Sequence, residues 1–297
     1  MSSPNPYLTE SAMRTNYEYY KTSSDFKDVD FVICSFPASL CEPFIPLNKS
    51  IIFNPAHRYN LARCSIEKWE KQNKNYYMLR SKNKLVLSSM SKYDAEYQAH
   101  FTGLYGYRLY GYGGFYAKGV KYNPTRTEIL VGPTNQLGRI GGTVLIELNN
   151  YSKAHNYTFA HVRTLYSRYT LHQLANHRAI VLFPYSVMAY SIIDFYISKI
   201  PIFLPSIKLL TEWKNVNDRT IREPFYCNKV ADITPANNTI HKFSPNDDID
   251  EAYSYWLQYA DYFQWPFVTT FDSWEDLINK LKTLDLKKIS DMLFLMC

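Results

Sequence analysis

The stretch Arg178-Ala-Ile-Val-Leu-Phe-Pro-Tyr-Ser-Val-Met-Ala-Tyr-Ser-Ile-Ile-Asp-Phe-Tyr-Ile-Ser-Lys-Ile-Pro-Ile-Phe-Leu-Pro-Ser206 decides how the rest of the chain is read. Ala179 to Phe183 is a short apolar run, the pattern of a strand buried on both faces. Pro184 stops it. The helix predicted next has Val187, Ile192, Ile193, Tyr196 and Ile197 on one side, with Ser191, Asp194 and Ser198 elsewhere. Lys199 falls in its expected last turn, where a cation suits the helix dipole. Pro201 ends the helix, and Ile202-Phe203-Leu204 is a second buried strand closed by Pro205. The pattern is a βαβ crossover, and Asp194 is the single charge between Arg178 and Lys199. In an open parallel sheet the loop after the first strand is where a ligand is placed. The bland alternative has Asp194 facing solvent or capping a neighbouring turn.

The same alternation continues on both sides. Asp30 to Ser35, Ile51 to Phe53 and Leu85 to Leu87 read as buried strands, 65–79 as a charged helix, and Tyr93 to Phe101 as a helix capped by Ser88 or Ser91. Ala56-His57-Arg58-Tyr59-Asn60-Leu61-Ala62-Arg63 is polar and basic directly after a strand, where an α/β sheet presents functional groups. About three strands precede residue 125. Residues 103–125, rich in Gly and Tyr, show no useful period and read as an irregular linker or as an aromatic wall for a ligand. A domain boundary is expected near Pro124. Glu128 to Val131 then opens a new sheet, and glycines through Gly138, Gly141 and Gly142 lead to a helix over Thr143 to Leu148. Such glycines let backbone N–H groups approach phosphate oxygens, and Arg139 adds a charged contact. Phe159 to Val162 reads as a strand, 163–168 as a loop, and Thr170 to Asn176 as a helix. Beyond Trp213 the chain reads as irregular to about 248, and a helix over Trp274 to Leu284 closes it. Asp248-Ile249-Asp250 has the spacing of a metal-binding pair of acids but falls at an expected helix start, where acids are common. Strands alternating with helices define an α/β fold with parallel sheets.

The order strand, Pro, loop, helix with an acid, Pro, strand over 171–206, together with Phe271-Asp-Ser-Trp-Glu-Asp-Leu277 near the end, resembles GT-B glycosyltransferases. The resemblance spans roughly 30–297 and rests on pattern order. It implies two Rossmann-like domains: a polar lead-in over 1–28, a shortened N-terminal acceptor-side domain over 29–124, and a nucleotide-sugar-binding domain over 125–297. In that family a carboxylate near the helix start holds the donor ribose, and many members have two acids eight positions apart. Here those positions are Ser186 and Asp194, so the first acid is missing. The implied donor-site residues are Gly138, Arg139, Tyr185, Ser186 and Asp194. His57, on a strand-end loop and of near-neutral pKa, is the candidate base for an acceptor hydroxyl; a surface or packed histidine is the alternative. The expected activity is sugar transfer from a nucleotide-sugar donor to a carbohydrate or glycoconjugate acceptor, with no cofactor and no metal. A catalytically inactive carbohydrate- or partner-binding protein is the second reading, and an unrelated nucleotide-binding α/β enzyme the third.

Composition narrows the classes. With 46% hydrophobic residues and 27 tyrosines among 297, the chain has enough apolar surface to fold. The net charge of +6 is spread along it and makes no basic block, so a nucleic-acid partner is not expected. Cys34, Cys41, Cys64, Cys227 and Cys297 contain no C-x-x-C pair, which disfavours a structural metal site. Reduced thiols, or one or two disulfides with a free thiol, both fit that number. N-x-S/T triplets start at Asn48, Asn150, Asn156 and Asn237. The apolar region 179–205 is broken by Pro184, Asp194, Lys199 and Pro201, so no transmembrane segment is expected. The start of the chain has no apolar signal-peptide core. The chain as given reads as cytoplasmic, or as a Golgi or ER lumen protein if an N-terminal anchor is missing.

Overall fold

A computed structural model describes residues 9–61, 63, 65–109, 117, 119–132, 142–214 and 233–294. Two compact units divide the chain. The first is Met1–Tyr110 with Pro224–Asp248, the second Gly111–Glu223 with Ile249–Cys297. The sequence reading keeps everything after 124 together, whereas the chain returns to the first unit before ending in the second.

The first unit opens with α1 (Glu10–Thr22), capped by Thr9, and the short α2 (Ser24–Lys27), where the sequence shows only a polar lead-in. Four parallel strands follow, β1 (Phe31–Cys34), β2 (Ser50–Phe53), β3 (Leu85–Ser89) and β4 (Tyr107–Arg108), lying side by side in chain order. A 3-10 stretch (Ala38–Leu47), α3 (Ile66–Ser81) and α4 (Lys92–Thr102) connect them. Ser65 and Ser91 cap the two helices by accepting the Lys68 and Asp94 N–H groups. The fourth strand lies within the stretch read as an irregular linker: it has only two residues, too few to show a period.

Each connection in this sheet moves one strand in the same direction. Right-handed crossovers therefore place all three helical connections on one face. Ile51, Phe53, Leu85 and Leu87 point to that face and are buried, with the Phe53 ring 4.6 Å from that of Tyr76 on α3. The register sets Ile33, Ile52 and Val86 in a row on the other face. There Ile33 is 61% and Tyr107 71% exposed. The strands read as buried are thus half-buried, because apolar side chains on both faces give the same sequence signal whether or not the second face is covered.

In the second unit the strands are β5 (Ile129–Val131), β6 (Phe159–His161), β7 (Ile180–Val181), β8 (Ile202–Pro205) and β9 (Thr269–Phe271), all parallel. Their order across the sheet is β6-β5-β7-β8-β9, so the direction of travel reverses after β6. Between β5 and β6 lies α5 (Gly142–Ser152); between β6 and β7 lie α6 (Val162–Leu165) and α7 (Leu171–Ala175), and between β7 and β8 lies α8 (Tyr190–Ile197). After β8 come α9 (Ile207–Trp213), α10 (Asp250–Leu257) and α11 (Asp261–Gln264), and after β9 come α12 (Trp274–Thr283) and α13 (Leu286–Phe294). The reversal puts α5 on one face and α7 with α8 on the other. Ile129, Val131, Val181, Phe203 and Phe271 pack with Val144, Leu148, Leu277 and Leu281 on the first face. Leu130, Ile180 and Leu204, which alternate with them, are equally buried on the second.

Two local expectations within the opening stretch are corrected, and one before it. The helix begins at Tyr190, after a six-residue turn from Pro184 to Ala189, so Val187 precedes it. Lys199 lies beyond the helix in the left-handed region (φ 63°) and is no part of a last turn. Residues 162–165, read in part as loop, form the short α6, capped by the His161 side chain.

Candidate functional site

In a doubly wound parallel sheet a ligand site forms at the carboxyl ends of the two strands that flank the reversal. Here those strands are β5 and β7. β5 runs out at Val131-Gly132, and the Gly132 N–H donates to the Val181 carbonyl at 2.8 Å. A Cβ on Gly132 would come 2.2 Å from Leu182 Cδ2, so a larger residue there requires the Leu182 side chain to move. A narrow crevice lined by Gly132, Leu182, Pro184, Tyr185, Ser191 and Ile192 opens beside the two strand ends. Its enclosed volume is about 10 Å³, room for about one water. A larger ligand must therefore lie over the strand ends.

The register sets His161 beside Val131 at the end of β6. Its ring is buried, and Nδ1 accepts the Arg163 N–H at 3.1 Å, which leaves the proton on Nε2. Nε2 is sealed from solvent without a well-formed hydrogen bond among the described residues. Burial holds the pKa below the ordinary histidine value, against the pull of the neighbouring Gly132 carbonyl.

Asp194 lies in the second turn of α8, half-buried, and no described residue donates a hydrogen bond or an ion pair to its carboxylate. Burial pushes its pKa up. Its charge is felt by the half-buried Tyr169, whose phenol is raised by burial, lowered by Arg163 and raised again by Asp194. The Arg163 guanidinium stands 4.9 Å over the Tyr169 ring. Tyr169 thus lies within electrostatic reach of both Arg163 and Asp194. Neither Arg163 nor Tyr169 stands out in the sequence, because they fall in and beside a segment read as loop.

Tyr185 lines the crevice, and burial raises its phenol. Ser186 is buried and turned into its own loop: Oγ accepts the Met188 N–H at 3.4 Å, and its carbonyl accepts the Tyr262 hydroxyl at 3.1 Å. Neither Ser186 nor Asp194 lines the crevice itself. Gly138 and Arg139 lie outside the described residues.

His57 belongs to the first unit, on the loop after β2. Its ring meets Phe36 edge-on with centroids 5.3 Å apart. Burial lowers its pKa, with Asp94 opposing and Arg58 assisting, so the imidazole is neutral near pH 7. The basic residues around it are turned inward. Arg58 pairs with Asp94 in the core and stacks 4.3 Å over Tyr93, while the Ser91 hydroxyl donates to Asp94 at 2.5 Å. Tyr59 donates to Asn73 at 3.0 Å and accepts from Trp69 at 2.6 Å. Arg63 donates to Gln72 at 2.9 Å and pairs with Glu42 at 2.8 Å. This segment mainly fastens the β2 loop to α3 and α4.

Among the described residues no cluster of three or more His, Cys, Asp or Glu side chains is placed to hold a metal. Asp250 falls in the first turn of α10 and pairs with Lys214 at 3.3 Å. Cys34 and Cys41 are paired, with Cα atoms 5.8 Å apart. No described helix is long and apolar enough to cross a membrane. Neither protein-family models nor curated proteins give a match to this chain.

Proposed function

We propose that the second unit binds a nucleotide over the carboxyl ends of β5 and β7, and that the chain is a GT-B-like glycosyltransferase using a nucleotide-sugar donor. The observation that supports this most is the strand-order reversal between β6, β5 and β7, with a half-buried carboxylate on the helix after β7 that has no partner among the described residues. In this reading Asp194 accepts hydrogen bonds from the ribose hydroxyls, and Tyr185 and Ser186 shape the loop beside the nucleoside. Gly138 and Arg139 take the diphosphate. The acceptor oxygen bonds to the anomeric carbon, and the nucleotide diphosphate leaves with the electron pair of the broken C–O bond; His57, in the first unit, keeps the role of candidate base for the acceptor hydroxyl's proton.

Titration calorimetry with UDP, GDP and CMP tests the nucleotide site. At least one should bind, and Asp194→Asn should weaken it about 5- to 150-fold, the loss of about 1–3 kcal/mol from a charge-assisted contact. Equal affinity in both forms would remove Asp194 from the site, and no binding of any nucleotide would overturn the reading. A second reading is a binding protein without catalysis. Ser186 favours it, since the hydroxyl standing where the family pattern has an acid is tied to Met188. Release of free sugar from a bound donor separates the two.

A further inference from the structure

The first unit carries a groove that the reading above does not use. It runs between α3 and the segment 233–238 and has a volume of about 750 Å³, within the range of about 300–1,000 Å³ found for small-molecule sites. Its lining residues Phe101 to Leu104 lie at the end of α4 and just before β4, whereas His57 follows the end of β2. The groove therefore lies where the strands begin, at the opposite end of the sheet from His57.

Glu70, Lys74 and Tyr77 stand at i, i+4 and i+7 on α3 and form one stripe along the groove. The Tyr77 hydroxyl donates to the Thr102 carbonyl at 2.8 Å, so its ring is held in place while 45% exposed. Beneath it Asn73 is fixed on both sides, donating to the Phe101 carbonyl at 3.0 Å and accepting from Tyr59 at 3.0 Å. Across the groove Asn238 donates to the Gly103 carbonyl at 3.1 Å. That approach requires a glycine, because a Cβ on Gly103 would come 2.2 Å from Asn238 Oδ1 and φ is +65°. Asn237 and Asn238 are both exposed.

These groups select a ligand class. The described charged side chains of the lining are one acid and one base, so the groove has no net field to gather phosphates or other anions. Its apolar residues are interleaved with Asn and Thr, which leaves no continuous apolar floor for a hydrophobic ligand. A fixed tyrosine face suits the C–H face of a sugar ring. The Glu70 carboxylate and the exposed Asn237 amide offer paired polar atoms to adjacent hydroxyls, and Lys74 adds a donor. We infer that the groove between α3 and 233–238 binds a neutral saccharide, at a site separate from the proposed nucleotide site and independent of it.

The test is saturation-transfer NMR and titration of the full chain with neutral gluco-, manno-, galacto- and N-acetylglucosamine oligosaccharides, with sialylated and sulfated glycans and an uncharged peptide library as contrasts. At least one neutral oligosaccharide should bind. Tyr77→Ala should weaken it about tenfold or more, while Tyr77→Phe, which keeps the ring, should hold most of the affinity. Nucleotide titrations should be unchanged in both variants, so loss of the nucleotide reading would leave this result standing. Circular dichroism checks the fold of Tyr77→Ala; if it is lost, Glu70→Gln and Lys74→Ala, both at exposed positions, decide by the same loss of saccharide binding. No binding of any neutral oligosaccharide at millimolar concentration would overturn the inference. So would equal binding by the variants, or binding confined to acidic glycans or to peptide.

Discussion

Two aspartates show how differently the same side chain is used. Asp94 is buried against Arg58 and Ser91 in the first unit, where the pair fixes the β2 loop to the start of α4. Asp194 has no such partner among the described residues, and burial alone raises its pKa above the ordinary carboxylate value. A carboxyl group whose folded pKa is raised favours the folded state most when protonated. Its contribution is therefore fully present below the unfolded pKa and is lost as pH rises through the folded value. Asp194→Asn should accordingly melt at the same temperature as the native chain, or slightly above it, at pH 7, and show less gain or none near pH 3. Thermal melts at the two pH values check this. A marked loss of stability at pH 7 would mean that the carboxylate holds the fold together.

At the scale of the element, the two sheets differ in how their faces are covered. In the second unit the reversal of strand order puts helices on both faces, and β7 and β8 are buried throughout. In the first unit the strands lie in chain order and the helices take one face. Neighbouring isoleucines of that sheet should therefore respond unlike one another. Ile51→Ala, at a position with no exposure, should cost about 2–5 kcal/mol. Ile33→Ala, on the uncovered face, should stay within about 0.5 kcal/mol. Urea unfolding of the two variants measures the difference, and comparable losses would show that the second face is covered in solution. The sequence could not separate these positions, because Phe31-Val-Ile-Cys34 is apolar at every residue. Helix starts were easier to read. Ser91 caps α4 as one of two expected candidates, and the acids of Asp248-Ile249-Asp250 fall at the start of α10.

At the scale of the whole molecule, the chain leaves the first unit, builds most of the second, and returns. The returning segment is tied to α4 by contacts between residues far apart in sequence. The Ala236 N–H donates to the His100 carbonyl at 2.8 Å, His100 Nδ1 meets Thr239 at 2.9 Å, and Tyr97 donates to Asn246 at 3.2 Å. His241 faces Glu96 at 3.1 Å. Burial, helped by His241 and opposed by Asp247, pushes the His100 pKa down to about 4. A histidine with a lowered folded pKa supports the fold in its neutral form. That support is complete above the unfolded value of 6.5 and declines as pH falls toward about 4. Hydrogen exchange at Ala236 should therefore quicken, relative to an unstructured reference, between pH 7 and 4.5. His100→Gln should show a weaker dependence over the same range. An unchanged slope in the variant would place the acid sensitivity elsewhere.

What the sequence determined by itself is local. Apolar runs stopped by prolines placed β7 and β8, alternation of strands with helices gave the α/β class and parallel sheets, and a serine ahead of Tyr93 marked the start of α4. Each of these is set by side chains within a few residues, so the signal lies in adjacent positions. Four things were decided only by the tertiary structure: the strand order that reverses after β6, the uncovered face of the first sheet, the inward turn of Arg58 and Arg63, and the docking of 233–248 on α4. All four depend on contacts between distant parts of the chain, such as His100 with Thr239 at a separation of 139 residues. Such contacts leave no period in the sequence, because the partner that buries a residue is not among its neighbours.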